Sequence, residues 1–340
     1  MKIAITADPE IPIPPKLYGG IERIIFMLIE NLVEQGHEVV LFAHKDSAVP
    51  CKLIPYRSTG TDKKSLLING FLINKILFSQ SFDIIHSFGR MAYLIPQIPR
   101  HVPKLMSYQR EPTTDQIKRA MKLSVRNNMA FTGCSDYITN KIKPFAKADT
   151  VYNGIDTNKY NPTLHVEADA PLTFLGRIEA IKGTHTAIEI ANKANKKLII
   201  AGNIPANEQN YFNEKIRPHL NKDVEYVGAV DDEQKNVLLG KSLALLMPIH
   251  WDEPFGIVMV EAMACGTPVI GFNRGAVPEI IVDGLNGFIT SNAEDAADKV
   301  SLIHKIDRSN VRHYTENKFN FQILTKQYLT LYLALINEQS

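Results

Sequence analysis

The segment from Trp251 to Gly266, WDEPFGIVMVEAMACG, carries two glutamates on either side of a Pro/Gly turn. The turn predicts a helix that begins near Ile257, with free backbone N–H groups that favour an anion such as a diphosphate. Glu253 precedes this helix, and Glu261 lies one turn inside it. Since a carboxylate accepts two hydroxyl hydrogen bonds at once, the pair predicts hydroxyl-rich groups at both ends of the anion. The alternatives are an ordinary loop carboxylate for Glu253 and a solvated helix position for Glu261.

A basic pair, Arg177 and Lys182, brackets a loop between a predicted strand and a predicted helix. The arginine fork and the lysine point charge suit a departing diphosphate, whose negative charge grows as a bond breaks. The alternative is a loop that carries ordinary surface cations.

Two glycines, Gly19 and Gly20, follow the first predicted strand and open a helix. Without side chains, their backbone can approach a ligand closely, although a plain turn with Glu22 at the helix start would look the same. His86 ends another predicted strand and Arg90 follows it, and both are candidates for contact with an acceptor or a donor. An isolated histidine is as readily structural.

These segments resemble the motifs of the family-4 retaining glycosyltransferases, which have the GT-B fold. Glu253 and Glu261 match the family's Glu-x7-Glu motif, and the loop with Arg177 and Lys182 carries the family's basic pair. The resemblance covers most of the chain. It implies transfer of a hexose from a UDP-, GDP- or ADP-linked sugar to a sugar or lipid-linked acceptor hydroxyl, with retention at the anomeric carbon.

The resemblance also implies roles for individual residues. Arg177, Lys182 and Glu253 would be catalytic, Glu253 at the donor sugar, while Glu261 would hold the ribose. Front-side attack, with the leaving phosphate taking the acceptor proton, would need neither a metal nor another cofactor. The donor-binding set that it implies is Gly19, Gly20, Arg177, Lys182, Glu253, Phe255, Gly256, Ile257, Val258 and Glu261.

The sequence departs from the family where many members carry a histidine that contacts the donor sugar. Here the strand Leu105–Tyr108 runs into Gln109, Arg110 and Glu111 instead. We expect Tyr108, Gln109 or Arg110 to take over that contact, or the donor sugar or acceptor to be handled differently. Glu111 could be an acid/base group, or it could simply precede a helix.

Short β-rich apolar runs alternate with helical patterns, which predicts two Rossmann-like, doubly wound α/β domains facing across a cleft. We expect an acceptor-side domain over residues 1–157 and a nucleotide-sugar domain over 158–319. The polar stretch Asn158–Ala170 is the expected linker, and a helix over about 320–340 would pack back onto the first domain. The predicted strands are Ile3–Ala7, Val39–Ala43, Asp83–His86, Leu105–Tyr108, Ala130–Cys134, Thr150–Tyr152, Leu172–Leu175, Lys197–Ala201, Glu225–Val227, Leu243–Pro248 and Pro268–Phe272.

Composition places the chain among ordinary globular proteins, with 340 residues, 45% of them hydrophobic, and only three scattered cysteines. Cysteine usage indicates a reducing compartment, and no run reaches the ~20 apolar residues that span a bilayer. We therefore expect a cytoplasmic protein. No cluster has metal-ligand spacing.

The stretch Arg100–Lys147 is strongly basic, with ten Lys or Arg residues against three Asp or Glu. On a helix over Asp115–Asn127, the cations Lys118, Arg119, Lys122 and Arg126 would face outward. They could contact anionic lipid at the inner membrane face, as a lipid-linked acceptor would require, or form a solvated face. Nucleic acid is disfavoured because no aromatic residues interleave with the four cations of this helix, as base stacking would require.

Three other functions compete with transfer. A dehydrogenase would need Gly-x-Gly-x-x-Gly after the first strand, which the chain lacks. A nucleotide-sugar epimerase of the same fold would convert the donor without an acceptor. A sugar-nucleotide-binding module would show no turnover at all.

Overall fold

The computed structural model describes residues 1–15, 19–125 and 128–338. The chain forms two compact units. Unit 1 comprises Met1–Gly154 and Phe321–Ser340, and unit 2 comprises Ile155–Asn320. The division after Gly154 lies close to the predicted boundary at residue 157.

Seven parallel strands form the sheet of unit 1 in its described part, in the order β3-β2-β1-β4-β5-β6-β7. Every residue of β4, β5 and β6 is buried, as expected for parallel strands covered on both faces. The sequence did not predict β3, a half-exposed edge strand. The strands are β1 Lys2–Thr6, β2 Glu38–Ala43, β3 Lys52–Pro55, β4 Ile84–Ser87, β5 Lys104–Tyr108, β6 Met129–Gly133 and β7 Ala148–Thr150.

The helices of unit 1 include one that the sequence predicted and one that it did not. The first helix buries the apolar stripe that contains Ile24 and Leu28, and it ends just before Gly36, whose φ is 79°. The second helix was not predicted and is capped by the Asp62 carboxylate. The helices are α1 Gly20–Glu34, α2 Lys63–Ser79, α3 Met91–Leu94, α4 Thr114–Leu123 and α5 Asp136–Ile142.

Unit 2 contains a second parallel sheet, in the order β10-β9-β8-β11-β12-β13. The prediction of two doubly wound α/β domains is confirmed by the two sheets, although the edge strand β13 was missed. The strands are β8 Leu172–Leu175, β9 Leu198–Ala201, β10 Val224–Gly228, β11 Ala244–Met247, β12 Val269–Phe272 and β13 Gly287–Thr290.

Helices connect the strands of unit 2. Asp231 caps one of them, in a capping box with Gln234. The helices are α6 Thr184–Lys193, α7 Gln209–Tyr211, α8 Asp232–Lys241, α9 Ile257–Ala264, α10 Val277–Ile280, α11 Ala293–Val300 and α12 Arg308–Phe319. Short 3₁₀ or π turns occupy Ile95–Gln97 in unit 1 and Thr157–Lys159, Ala180–Lys182, Ala206–Glu208, Phe212–Ile216, Arg217–His219 and Ile303–Lys305 in unit 2.

Two segments link the predicted organisation to the observed units. The stretch expected to be a linker lies inside unit 2, where Thr163 donates its N–H to the Cys265 carbonyl at 3.0 Å. The last helix, α13 Phe321–Asn337, belongs to unit 1 and buries Tyr328 and Tyr332 there. In the described ranges, no helix combines the length and the apolarity that crossing a bilayer requires.

Candidate active site

The start of α9 is shaped by two glycines. Gly256, with φ of 82°, precedes the helix, and a Cβ there would lie 3.2 Å from Glu253 Cγ. A Cβ on Gly275 would lie 2.4 Å from the Glu253 carbonyl oxygen, which also accepts a hydrogen bond from the Ala276 N–H at 2.8 Å. The backbone of Glu253 is therefore fixed beside the first turn of α9, whose leading N–H groups lack partners within the helix.

Lys182, Glu253 and Trp251 form one cluster. Lys182 Nζ lies 2.8 Å from Glu253 Oε2, and Trp251 Nε1 donates to the same oxygen at 3.2 Å. The lysine ammonium also lies 4.4 Å from the centroid of the indole ring. The structure thus brings together the predicted Lys182 and Glu253. Trp251 was not predicted as a site residue, although it is the only tryptophan and stands two residues before Glu253.

The loop that carries Lys182 is held against the end of β11. Gly183 has φ of 77°, and a Cβ there would lie 1.9 Å from the Pro248 carbonyl oxygen. His250 donates its N–H to the Ile181 carbonyl at 2.8 Å. Only glycine fits this approach, which positions the lysine beside the cluster.

Arg177, the other member of the predicted basic pair, has a different carboxylate partner. Its guanidinium lies 2.9 Å from Glu179 Oε1, and its side chain remains partly exposed. Glu179 N–H donates to the Arg177 carbonyl at 2.9 Å, and Lys182 N–H donates to the Glu179 carbonyl at 3.0 Å, so two successive turns connect the cations. Arg177 therefore adds a cation to the loop that carries Lys182.

Glu261 is buried and held by residues that the sequence did not reveal. Its Oε1 accepts hydrogen bonds from the Tyr160 hydroxyl at 2.8 Å and from Lys235 Nζ at 2.6 Å. Lys235 also lies 3.1 Å from Asp232. Burial acts to lower the pKa of Lys235, but the two carboxylates outweigh it and raise that pKa. Tyr160 and Lys235 stand 101 and 26 residues away from Glu261, so no local motif could have identified them.

A cavity of about 630 Å³ lies within unit 1. Four residues predicted as acceptor or donor contacts line it: Arg90, Tyr108, Gln109 and Arg110. Among the described residues, the buried Tyr108 hydroxyl and Gln109 Nε2 have no hydrogen-bond partner. Burial raises the pKa of Tyr108 to about 12. Apolar lining comes from Leu66, Ile95, Ile98, Met106 and Leu123.

The two predicted arginines converge on one carboxylate in this cavity. Arg110 lies 2.6 Å from Asp8 Oδ2, and Arg90 lies 3.5 Å from Asp8 Oδ1. Gln109 is oriented by Asn153, whose amide donates to Gln109 Oε1 at 2.7 Å. With two cations and one anion, this group carries a net positive charge.

His86 does not line the cavity. It is fully buried, with Nδ1 2.5 Å from the Tyr332 hydroxyl and Nε2 2.7 Å from Ser107 Oγ. Burial lowers its pKa to about 3. The prediction of an acceptor or donor contact is therefore wrong, because α13 covers the side chain and both ring nitrogens are satisfied inside unit 1.

Gly19 and Gly20 differ in what surrounds them. A Cβ on Gly19 would lie 2.6 Å from Pro15 Cβ, whereas a Cβ on Gly20 would meet no described residue within 4 Å. Burial raises the pKa of Glu22, in the first turn of α1. Among the described residues, Gly20 is therefore the less crowded of the two glycines. Tyr18, which precedes the pair, lies outside the described residues.

The basic stretch is less exposed than expected. Lys104 is fully buried and donates to the carbonyls of Ile98 and Arg100, and its pKa is lowered to about 7 by burial and by the nearby Arg100 charge. It therefore contributes nothing to a surface patch. Lys141 pairs with Glu111 at 2.6 Å, which ties up that carboxylate. On α4, Ile117 and Ala120 face the core, while Lys118, Arg119 and Lys122 are exposed as predicted; Arg126 lies outside the described residues.

Comparison with known proteins finds two adjacent family matches. The family model described as Glycosyltransferase Family 4 matches residues 18–159, and the model described as Glycosyl transferases group 1 matches residues 157–319. Spore coat protein SA of Bacillus subtilis is 26% identical, over 98% of this chain and 99% of the relative. Glycogen synthase of Mycobacterium tuberculosis is 29% identical over 54% of this chain and 46% of the relative.

Solved structures show the same fold. Sucrose-phosphate synthase of Thermosynechococcus elongatus superposes with a TM-score of 0.80 at 19% identity, covering 99% of both chains. HepE of Anabaena, in complex with UDP and glucose, superposes with a TM-score of 0.73 at 18% identity. The match covers 98% of this chain and 100% of HepE. The chain therefore belongs to the retaining family-4 glycosyltransferases, enzymes of the GT-B fold that transfer a sugar from a nucleotide sugar.

Proposed function

We propose that this enzyme transfers a hexose from a nucleotide diphosphate sugar, held by unit 2, to the hydroxyl of a sugar or lipid-linked acceptor. The observation that carries the proposal is the cluster at the start of α9, where Lys182, Glu253 and Trp251 meet. The leading N–H groups of a helix, a cation and a carboxylate together suit a phosphate that is joined to a sugar.

Donor binding would rearrange the Lys182–Glu253 pair. Both side chains are largely buried, so their charges interact through a poorly screened environment. A diphosphate arriving at α9 would draw the ammonium of Lys182 toward its own oxygens. That frees the Glu253 carboxylate to accept hydrogen bonds from the sugar hydroxyls. Arg177, on the same loop, would add a second cation.

In the transfer step, the bond between the anomeric carbon and the phosphate oxygen breaks. A bond from the acceptor oxygen to that carbon forms on the same face of the sugar. The acceptor proton passes to the leaving phosphate. Lys182 and Arg177 stabilise the charge that develops on the diphosphate. Glu261, already oriented by Tyr160 and Lys235, would accept the ribose hydroxyls.

The acceptor would occupy the cavity of unit 1. The unpartnered Tyr108 hydroxyl and Gln109 amide offer hydrogen bonds to a hydroxyl-rich ligand. Arg90 and Arg110, which share Asp8, would attract an acceptor phosphate. The exposed cations of α4 fit the same picture, since they could face anionic lipid beside a lipid-linked acceptor.

UDP-glucose is the first donor to test, because HepE has been crystallised with it. We expect Glu253→Gln to lower kcat about 10²–10³-fold, as for the loss of one preorganised polar contact in a transition state. The matched control is Glu294→Gln, since Glu294 also pairs with a lysine, Lys193, at 2.7 Å but at an exposed position of α11. The measurement is nucleotide release with and without acceptor, together with the anomeric configuration of the product by NMR.

The outcomes of these measurements distinguish a glycosyltransferase from an epimerase and from a binding module. Full activity in Glu253→Gln, or an equal loss in Glu294→Gln, would remove Glu253 from the site. A new nucleotide sugar formed without acceptor would identify an epimerase. Donor binding with no turnover toward any acceptor would identify a binding module.

A further inference from the structure

Helix α2 turns three large apolar side chains away from the protein. Leu67, Phe71 and Phe78 are 73%, 70% and 56% exposed. Lys64 and Lys75 continue the same row, at intervals of three or four residues, which places all five side chains on one face of the helix. We call these five residues the α2 stripe. Large apolar side chains exposed together on one helix face mark an interaction surface.

The inward face of α2 fixes this orientation. Asn69 accepts a hydrogen bond from the Ser58 N–H at 3.2 Å and donates to the Ser58 carbonyl at 2.7 Å. Asn74 donates to the Tyr93 carbonyl at 3.2 Å. Rotating the helix to bury Phe71 would break these buried hydrogen bonds. The polar residues therefore keep the apolar stripe outward.

The charge around the stripe is mainly positive. Helix α2 contains Lys63, Lys64 and Lys75, and the Asp62 carboxylate before it is taken up in capping the first turn. The guanidinium of Arg100 lies 4.7 Å from the ring centroid of Phe78. An apolar row framed by cations is complementary to a surface with anionic headgroups and an apolar interior.

We propose that the α2 stripe docks on an anionic phospholipid surface. Leu67, Phe71 and Phe78 insert among the headgroups, while the lysines face lipid phosphates. Helix α2 lies in the plane of the surface, since it is not long and apolar enough to span a bilayer. A second copy of the chain is a poorer occupant, because two such stripes carry charges of the same sign and would repel each other.

This docking would place the membrane beside the cavity of unit 1. Leu66, the neighbour of Leu67 on α2, lines the cavity together with the half-exposed Ile95. The apolar part of a lipid-linked acceptor could remain at the membrane while its head enters the cavity. This last step rests on the proposed function, whereas docking of the stripe does not.

Flotation of the full-length chain with vesicles tests the docking. We expect the protein to float with phosphatidylcholine vesicles that contain about one-third phosphatidylglycerol, and to float less with phosphatidylcholine alone. The double variant Leu67→Glu/Phe71→Glu should lower the partition coefficient at least about tenfold. The control is Leu333→Glu, which places one such charge at a 51% exposed leucine of α13.

Three results would overturn the proposal. The wild-type chain could fail to float with anionic vesicles, the double variant could float as well as the wild type, or Leu333→Glu could lose as much. Light scattering adds a fourth: a wild-type dimer that Phe71→Glu dissociates, without vesicle binding, would identify a second copy as the occupant.

Donor binding in solution keeps this test separate from the proposed function. The double variant should retain the wild-type thermal shift with a nucleotide sugar, because none of the expected donor-binding residues lies on α2. Vesicle binding without any donor binding in the wild-type chain would remove the proposed function and leave the docking intact.

Discussion

Two buried ion pairs of unit 2 each join side chains from different elements. Lys182, on a short turn, meets Glu253 from the loop before α9, and Lys235 on α8 meets Glu261 on α9. Each pair is largely buried, so removing one member would leave a poorly solvated charge. These carboxylates are thus fixed in place before any ligand arrives.

His86 makes the stability of unit 1 depend on pH. Its pKa is lowered to about 3, against 6.5 for an ordinary histidine, so below pH 6.5 the unfolded chain binds a proton that the folded chain does not. The free energy of unfolding therefore falls as the pH drops from 6.5 toward about 3, by ~1.4 kcal/mol per pH unit. His86→Gln should be less sensitive, losing about 1.5 kcal/mol less than the wild type between pH 6.5 and 5.

Urea unfolding at the two pH values measures this difference. Because the glutamine amide can still reach Tyr332 and Ser107, the variant should fold at neutral pH. Equal losses of stability in the wild type and in His86→Gln would show that the imidazole does not titrate as its burial requires.

At the scale of elements, the loop that follows β8 depends on a single glycine. A Cβ on Gly183 would collide with the Pro248 carbonyl, so we expect Gly183→Ala to displace Lys182 and weaken donor binding at least about tenfold. Gly284 is the matched control, since its φ of 76° is almost the same but a Cβ there meets nothing within 4 Å. Gly284→Ala should lose only ~1 kcal/mol of stability, the cost of holding alanine in a left-handed backbone conformation.

Calorimetric titration of both variants with the donor measures the contrast. Similar donor affinities for Gly183→Ala and Gly284→Ala would mean that the contact with β11 does not position the lysine.

Elements whose apolar residues face the core were predictable, and those that depart from this pattern were not. The buried central strands match their apolar runs to within a residue or two, whereas the edge strand β3 is only four residues long and half-exposed. Helix α2 was missed because Asn69 and Asn74 face inward while Leu67 and Phe71 face outward.

The site could be predicted where its residues are close in sequence. Glu253 and Glu261 share one segment, but the partners Tyr160 and Lys235 become neighbours only through the fold. His86 was misplaced for a related reason, because Tyr332, which satisfies its ring, lies 246 residues away in the chain.

At the scale of the whole molecule, the proposed roles fall on separate units. The proposed donor residues Arg177, Lys182, Glu253 and Glu261 all lie in unit 2, whereas the acceptor cavity and the α2 stripe lie in unit 1. The α2 stripe and the lining of the acceptor cavity can therefore be changed without altering any of these four donor residues, so that donor, acceptor and membrane binding can be measured separately.

Thermal denaturation with a panel of UDP-, GDP- and ADP-sugars tests donor binding by unit 2 most directly. At about one hundred times Kd, the correct donor should raise Tm by about 5 °C or more, and the rise should shrink in Glu253→Gln and Glu261→Gln but persist in Glu294→Gln. If no nucleotide sugar raises Tm, or if both site variants keep the full rise, the site at the start of α9 does not bind the donor.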